Sequence, residues 1–355
     1  MKIGLIGLSN SGKTTIFNAL TKMSAHVGPY TDAKAEPNVA VVAVDDDRLL
    51  HLTDMYKPRK TTGATIEVID FPRMREVSVH NGFQAGNAMG WIKGTDALAL
   101  VVRNFYDDLR GDPTPLRDIE EIAMELLLND LILVENRLEK IDWFQKRGQK
   151  TNPLVLEERA LRNIAEHLNN NNPIRNLDLD EDEQKLIRSF QFLTNKPFLI
   201  ILNSDEAAFG HNKNLIAQIE GRCEVIEFAG RFEMELSGLN DEEAEIFMED
   251  MGIGKSARER LTQFAYRTLG YVSFFTVGED EVRAWSICGG DTAVNAARTI
   301  HTDLARGFIR AECFTYDKLV ECGSEKRVRE NGHFRLEGKD YIVRDGDILN
   351  IRFSV

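Results

Sequence analysis

The chain has 355 residues, of which 43% are hydrophobic and 28% charged, and its formal net charge at pH 7 is −13. This length suffices for two or three domains with a substantial buried core. The acidic balance argues against a surface that coats nucleic acid generally, because phosphate contacts require clustered lysine and arginine. No apolar run is long enough to span a bilayer, and the first strand begins without a signal peptide, so we expect a cytoplasmic protein with no membrane contact. Its four cysteines lack paired metal-type spacing and are expected to be reduced thiols.

A glycine-rich motif lies near the N-terminus. Residues 7–14 read Gly-x-x-x-x-Gly-Lys-Thr, between an apolar run and a segment with helix-like spacing. Glycines let successive backbone N–H groups turn toward a phosphate, and the N-terminus of the following helix adds a favourable dipole. Lys13 would carry its charge to the β- and γ-phosphates as the catalytic residue, and Thr14 would bind Mg²⁺. The motif therefore predicts a nucleotide site that contains Asn10, Ser11, Gly12, Lys13, Thr14 and Thr15.

Two further metal ligands are expected downstream. Thr31 lies in a polar, irregular segment at the position of the first mobile segment of such nucleotidases, although an exposed loop threonine is the alternative. Residues 65–70 alternate as a strand and end at Asp70, which would hold Mg²⁺ through water unless it is only an acidic cap. Arg73 then stands where a glycine usually approaches the γ-phosphate, and Met74 replaces a polar residue that orients water. Hydrolysis is therefore expected to be slow.

The middle of the chain changes from strand to helix patterns. Residues 96–102 read as a buried parallel strand, and residues 118–149 then contain no proline and one glycine. The apolar positions in this stretch follow alternating spacings of four and three, which predicts a coiled-coil-like seam. Residues 180–193 read as a further helix, with Asp180 and Glu183 placed as a capping box. Residues 106–195 are therefore interpreted as a helical insertion.

The sheet resumes at residues 197–202, and the side chains at its carboxyl end face the expected ligand crevice. Asn203 offers a donor and an acceptor to a purine edge, although a strand-capping asparagine is the alternative. In guanine-selective proteins the pattern is Asn-Lys-x-Asp, whereas this chain has Ser204 and Glu206 at the lysine and aspartate positions. Adenine is therefore the better prediction. Ala229 and Gly230 follow the next strand and are expected to place their backbone near the base.

The remaining residues form a sheet-rich tail with a helix at residues 292–306 and strands that include residues 341–343. Residues 271–355 contain 12 basic and 14 acidic side chains, so this part is nearly balanced within an acidic protein. That balance permits contact with RNA. The tail is interpreted as a compact α+β unit.

These residues together resemble the YchF or Obg-like ATPase family, as a divergent member. The match is strongest in the tail, at residues 275–278, 281–285, 300–303, 307–312 and 338–343. The resemblance implies a preference for ATP, a helical domain inserted in the nucleotidase core, a C-terminal TGS domain of ubiquitin-like fold, and association with ribosomes. The Asn-x-x-Glu base motif of the family falls on Asn203 and Glu206.

The predicted fold is α/β: a P-loop nucleotidase domain with a mainly parallel sheet (residues 1–105 and 196–268), an inserted helical, coiled-coil-like domain (106–195), and a C-terminal ubiquitin-like α+β TGS domain (270–355). The predicted function is Mg²⁺-dependent binding and slow hydrolysis of ATP, with GTP as a second nucleotide. Its expected partner is the ribosome or RNA, bound through the TGS and helical domains. One alternative is a nucleotide-gated binding module with little turnover, and another is a small-molecule phosphotransferase that uses the same loop.

Overall fold

The computed structural model describes residues 1–21, 37–71, 86–148 and 151–354. Chain contacts divide the protein into two compact units, the first made of residues 2–40 and 67–257 and the second of residues 41–66 and 258–355. The sequence interpretation counted residues 41–66 with the nucleotidase domain. In the structure the short strand at residues 60–62 joins the sheet of the second unit, which explains this difference.

Strands and helices alternate at both ends of a long helical stretch. Up to residue 204 they are β1 (Lys2–Ile6), α1 (Lys13–Thr21), β2 (Asn38–Ala43), α2 (Asp47–Tyr56), β3 (Lys60–Thr62), β4 (Thr65–Asp70), α3 (Gly86–Lys93), β5 (Ala97–Asn104), α4 (Pro115–Lys146), α5 (Asn152–Asn169), α6 (Glu181–Ile187) and β6 (Phe198–Ser204). Thereafter they are α7 (Lys213–Glu220), β7 (Glu224–Phe228), α8 (Gly230–Leu236), α9 (Asp241–Asp250), α10 (Ala257–Leu269), β8 (Tyr271–Thr276), β9 (Glu281–Cys288), α11 (Ala293–Ile300), α12 (Thr302–Arg306), β10 (Phe308–Thr315), α13 (Tyr316–Cys322), α14 (Glu325–Glu330), β11 (Arg335–Glu337) and β12 (Asp347–Phe353).

The first sheet has the strand order β2-β4-β1-β5-β6-β7, and the pairs from β4 to β7 are parallel. Every residue of β5 and β6 is buried, as expected for central strands of a parallel sheet that is covered on both faces. Ile6, Leu100 and Leu202 lie in one hydrophobic cluster with residues of α4. The carboxyl ends of β1, β4 and β6 carry the predicted site residues.

The predicted seam of the helical insertion is confirmed. Leu127, Val134 and Ile141 of α4 are buried against Leu161 and Ile164 of α5, so the two helices form a hairpin with its own core. The capping box at the start of α6 is also present. The helix predicted to reach residue 193 ends at Ile187, because a 3₁₀ turn follows and Gln191 adopts a left-handed conformation with φ of 52°.

The second unit contains a mixed sheet with the order β11-β10-β12-β8-β9-β3. Ala293, Ala296 and Ala297 of α11 are buried in its core cluster. The helix predicted over residues 292–306 is broken at His301, whose extended backbone separates α11 from α12. The strand predicted at residues 341–343 is reduced to an isolated bridge between Thr292 and Ile342. Within the described residues, no helix is both long and apolar enough to cross a membrane.

Candidate nucleotide site

The glycine-rich loop between β1 and α1 contains positive φ angles, which glycine and asparagine tolerate best. Gly7 and Gly12 have φ of 151° and 89°, and Asn10 has φ of 61°. A Cβ atom at Gly7 would lie 2.5 Å from the carbonyl oxygen of Val101, so a side chain cannot fit there. A Cβ atom at Gly12 would collide with the side-chain nitrogen of Asn203. The loop is therefore fixed by close approach of its backbone to β5 and β6.

The N-terminus of α1 follows this loop directly. The first internal bond of the helix runs from Ile16 N to Gly12 O at 2.9 Å. The first N–H groups of any α-helix have no acceptor within the helix, and together with the helix dipole they attract anions. The predicted residues Thr14 and Thr15 lie in this first turn. The hydroxyl oxygen of Ser11, in the loop, is buried and has no hydrogen-bond partner.

Lys13 is held over the loop. Its side chain is 8% exposed, and Nζ donates hydrogen bonds to the carbonyl oxygens of Gly7 at 3.0 Å and Leu8 at 3.1 Å. These bonds point the ammonium group back across the loop toward its own start. A cation in this position faces the concave side that the loop backbone surrounds. The arrangement suits a point charge that binds phosphate oxygens.

Thr14 and Asp70 meet at the ends of α1 and β4. The Thr14 hydroxyl donates to Asp70 Oδ2 at 2.8 Å, and the Asn38 amide donates to the same oxygen at 3.3 Å. Burial raises the pKa of the Asp70 carboxyl group, against the opposing effects of Thr14, Lys13 and Asn38. The second oxygen, Oδ1, is buried without a hydrogen-bond partner. A buried carboxylate oxygen without a donor, beside a hydroxyl, is a donor set that fits Mg²⁺.

Asn203 joins the two halves of the site. Its side-chain nitrogen donates to Ser11 O at 3.0 Å, and its side-chain oxygen accepts from Gly230 N at 3.1 Å. A Cβ atom at Gly230 would collide with this oxygen, so a glycine is required for the approach. The predicted residues Ser11, Asn203 and Gly230 are thus brought together. Asn203 ties the phosphate loop to the start of α8.

A cavity of about 340 Å³ lies beside this connection. Three residues predicted to bind the nucleotide line it, and its other lining residues include an aromatic ring, an arginine and further carboxylates. The lining residues are Ser204, Asp205, Glu206, Ala207, Ala229, Arg231, Phe232 and Glu235. The exposed carboxylate of Glu206 is therefore available to a ligand in the cavity.

Sequence reasoning missed a polar cluster behind this cavity. Glu227 Oε1 accepts from the Ser204 hydroxyl and from the Asn212 side chain, each at 2.6 Å. Glu227 Oε2 accepts from Gly210 N at 3.2 Å, and Asn104 donates to the Ser204 oxygen at 2.9 Å. The cluster therefore fixes the loop after β6. The only sequence signal was the second glutamate of a short strand, between Ile226 and Phe228.

Phe105, immediately after β5, was also missed. Its ring lies 4.0 Å from where a Cβ atom of Gly12 would stand, so an aromatic surface borders the phosphate loop. Three residues discussed in the sequence analysis, Thr31, Arg73 and Met74, lie outside the described residues. Of the described residues, no group of three or more histidine, cysteine, aspartate or glutamate side chains is arranged to hold a metal ion.

Two family models match the chain in agreement with this geometry. The model described as a 50S ribosome-binding GTPase matches residues 2–137, and the model YchF-GTPase_C, described as a protein of unknown function, matches residues 271–354. The chain is also 37% identical over 368 residues to the ribosome-binding ATPase YchF of Bacillus subtilis, covering 99% of each protein. The chain belongs to the YchF family. The YchF protein of Pasteurella multocida is 38% identical over 364 residues, covering 100% of this chain and 99% of the relative.

A solved YchF structure agrees over nearly the whole fold. The YchF GTPase of Schizosaccharomyces pombe superposes with a TM-score of 0.82 at 31% sequence identity, covering 99% of this chain and 97% of that one. The α/β P-loop fold and the resemblance to the YchF family are therefore confirmed.

Proposed function

We propose that this YchF family member is a Mg²⁺-dependent purine nucleotidase that prefers ATP and accepts GTP less well. The observation that carries the proposal is the meeting of the Thr14 hydroxyl and the Asp70 carboxylate beside a phosphate loop that holds Lys13. Relatives along the full length are named ribosome-binding ATPases, which supports the same activity here.

The cationic and the oxygen-bearing residues of the site have different roles in binding the nucleotide. Lys13 and the first N–H groups of α1 would bind the β- and γ-phosphates, while Thr14, Asp70 and the predicted Thr31 would hold the metal ion. Bound Mg²⁺ neutralises the charge that develops on the phosphate oxygens during attack by water. The unpartnered oxygen of Asp70 supports its assignment as an acceptor for the metal or for its bound water.

The base side favours adenine. The guanine motif has a lysine at the position of Ser204. The short Ser204 side chain hydrogen-bonds to Glu227 instead. Glu206 offers an acceptor to the amino group of adenine from the rim of the cavity. Asn203 supports the site mainly from beneath, because its oxygen and one of its donors bind backbone groups.

A second candidate is a nucleotide-gated binding module with little turnover. It is favoured by the sequence after Asp70, where Arg73 replaces the glycine that usually approaches the γ-phosphate, and by the displaced position of Thr31. In that case nucleotide binding alone would change the state of the protein.

Purified protein titrated with ATP and GTP, each with Mg²⁺ or with EDTA, tests the first proposal. We expect tighter binding of ATP than of GTP and a loss of affinity in EDTA. Thr14→Val, which keeps the shape but removes the hydroxyl, should abolish the effect of Mg²⁺. Equal binding in Mg²⁺ and EDTA would contradict the metal site. Single-turnover release of phosphate then separates slow hydrolysis from binding without turnover.

We further propose that the protein associates with ribosomes in the cytoplasm. The names of the relatives and of the N-terminal family model support this partner. The helical insertion at residues 106–195 and the proposed TGS domain at residues 270–355 are the parts that would contact it. Cosedimentation of the purified protein with ribosomes, with and without ATP, is the direct measurement.

A further inference from the structure

The closed end of the α4–α5 hairpin exposes a large aromatic side chain. Trp143 has 49% of its surface exposed, although the neighbouring Ile141 is fully buried in the hairpin core. The guanidinium of Arg147 lies 3.6 Å from the centre of the Trp143 ring, and the Phe144 ring packs edge-on at 5.1 Å. The indole and guanidinium planes thus form one exposed stack.

Around this stack, several cations are unpaired, whereas most of the nearby carboxylates are engaged in hydrogen bonds or ion pairs. Lys140, Lys146, Arg147 and Arg159 form no ion pair within the part of the chain that the structure describes. Three nearby carboxylates are engaged: Glu157 with Arg137, Glu158 with Gln145 and Arg162, and Asp142 with Arg162. The exposed Glu139, one turn before Trp143, forms no ion pair within the described residues, so it offsets only one of the four cations. In a protein of net charge −13, this end of the hairpin therefore presents unpaired cations.

The geometry places these groups on a continuous surface. Lys140, Trp143 and Arg147 follow one another at spacings of three and four, so Lys140 and Trp143 share one face of α4 and Arg147 follows as its C-cap. The hydrogen bond from Gln145 to Glu158, of 2.5 Å, sets the first turns of α5 beside the end of α4. Leu156, which is 53% exposed, and Arg159 lie three positions apart on this part of α5.

We propose that this surface, the hairpin apex (Lys140, Trp143, Lys146, Arg147, Leu156 and Arg159), binds unpaired RNA. A base stacks on the Trp143–Arg147 planes, and the lysines and Arg159 bind the flanking phosphates. Aromatic and guanidinium planes bind unstacked bases, and free cations near them bind the backbone. Ribosomal RNA is the expected source of such unpaired RNA. The inference therefore rests on the proposed ribosome association only for the identity of that source.

Binding of a fluorescein-labelled, single-stranded RNA of twelve nucleotides to the full chain tests the apex directly. We expect about tenfold weaker binding for Trp143→Ala, the range typical of one lost base–aromatic stack. Trp143→Tyr should restore most of the affinity. Arg159→Gln should lower the slope of log affinity against log salt by about 0.7, because one cation that binds a phosphate is lost. The same RNA annealed to its complement should bind more weakly.

Two variants serve as matched controls. Trp91→Ala removes another tryptophan that is 46% exposed, and Arg188→Gln removes another exposed arginine without an ion pair in the described residues; both should leave RNA affinity unchanged. Melting temperature and Mg-ATP affinity should be the same in all apex variants and the parent. Equal RNA affinity in Trp143→Ala and the parent would overturn the proposal.

Ribosome cosedimentation separates the two proposals. Loss of cosedimentation in Trp143→Ala together with loss of RNA binding supports the apex as an RNA contact. Loss of cosedimentation with RNA binding intact would overturn it in favour of a contact with a ribosomal protein. If the parent binds the RNA through Trp143 but does not cosediment, the apex proposal stands and the ribosome association fails.

Discussion

The phosphate side and the base side of the candidate site are built in different ways. The phosphate side is one continuous segment, residues 7–15, completed by Asp70 and Asn38. The base side is assembled from residues at the carboxyl ends of β5, β6 and β7, which only the fold brings together. Asn203 connects the two sides across 192 positions of sequence. The first side is fixed by backbone conformation and the second by side-chain hydrogen bonds.

This difference indicates which changes each side tolerates. The loop needs glycine wherever its backbone approaches β5 or Asn203, so its sequence is constrained position by position. The base side needs a satisfied hydrogen-bond network, which several combinations of polar residues can provide. The phosphate side is therefore expected to set whether a nucleotide binds, and the base side which nucleotide binds.

Lys13→Ala should have the largest effect. It removes the cation that the loop holds between Gly7 O and Leu8 O, and charge-assisted bonds to phosphate are among the strongest polar contacts. We expect at least about a hundredfold loss of affinity for ATP and GTP alike, measured by calorimetric titration. Lys213→Ala, at an exposed position on α7, is the matched control and should bind normally. Comparable affinity in Lys13→Ala and Lys213→Ala would refute the phosphate-side assignment.

Asn203→Ala should rank second and affect both sides. It leaves Ser11 O and Gly230 N without their partners in a buried place, at a cost of about 2 kcal/mol. We expect roughly thirtyfold weaker binding of ATP and of GTP, with their ratio unchanged. Asn214→Ala, at an exposed position of α7, provides the control. A selective loss of one nucleotide would show that Asn203 reads the base rather than joining the two sides.

The sequence allowed the phosphate side to be predicted in detail because its chemistry is local. Lys13, Thr14 and the strand that ends at Asp70 follow from a motif and a two-residue period. Ser204 and Glu206 were also found, since they follow a strand end. The role of Glu227 could not be predicted, because no pattern near it in the sequence indicates that Ser204 and Asn212 are its partners.

The same reasoning explains the errors in the fold. The α4 and α5 helices were predicted because their apolar spacing extends over many turns. The helix ends at Ile187 and near His301 were missed. Each depends on a backbone conformation that no nearby proline or glycine indicates. The pairing of β3 with β9 was missed because three residues carry too little pattern.

Glu227→Gln should have a smaller effect and act on the base side alone. An amide keeps one acceptor where the carboxylate receives bonds from Ser204, Asn212 and Gly210 N, so the loop after β6 loses part of its support. We expect about fivefold weaker ATP binding, or about 1 kcal/mol, with a changed ratio of ATP to GTP affinity. Turnover at saturating ATP should be unchanged. Glu224→Gln, exposed at the start of the same strand, is the control.

Asp130→Asn should have the smallest effect on nucleotide binding, and it separates loss of stability from loss of the site. Asp130 is fully buried in α4 and accepts bonds from Leu193 N, Thr194 N and the Thr194 hydroxyl. An amide cannot accept all three, so the free energy of unfolding should fall by about 2 kcal/mol while ATP affinity stays within a factor of two. If Asp130→Asn weakened ATP binding as much as Asn203→Ala does, the effect of Asn203 would reflect stability and not the site.

The pH dependence of the same variant tests the state of the carboxyl group. Burial raises the pKa of Asp130 above its ordinary value of 3.8, so the unfolded chain releases this proton at lower pH than the folded protein does. The contribution of Asp130 to stability is therefore present below about 3.8 and is lost as pH rises through the raised pKa. The difference in unfolding free energy between the parent and Asp130→Asn should accordingly shrink over that window and then stay constant, as measured by urea unfolding from pH 4 upward. A difference that stayed constant from pH 4 upward would mean that the three hydrogen bonds outweigh burial and hold the pKa at or below 3.8.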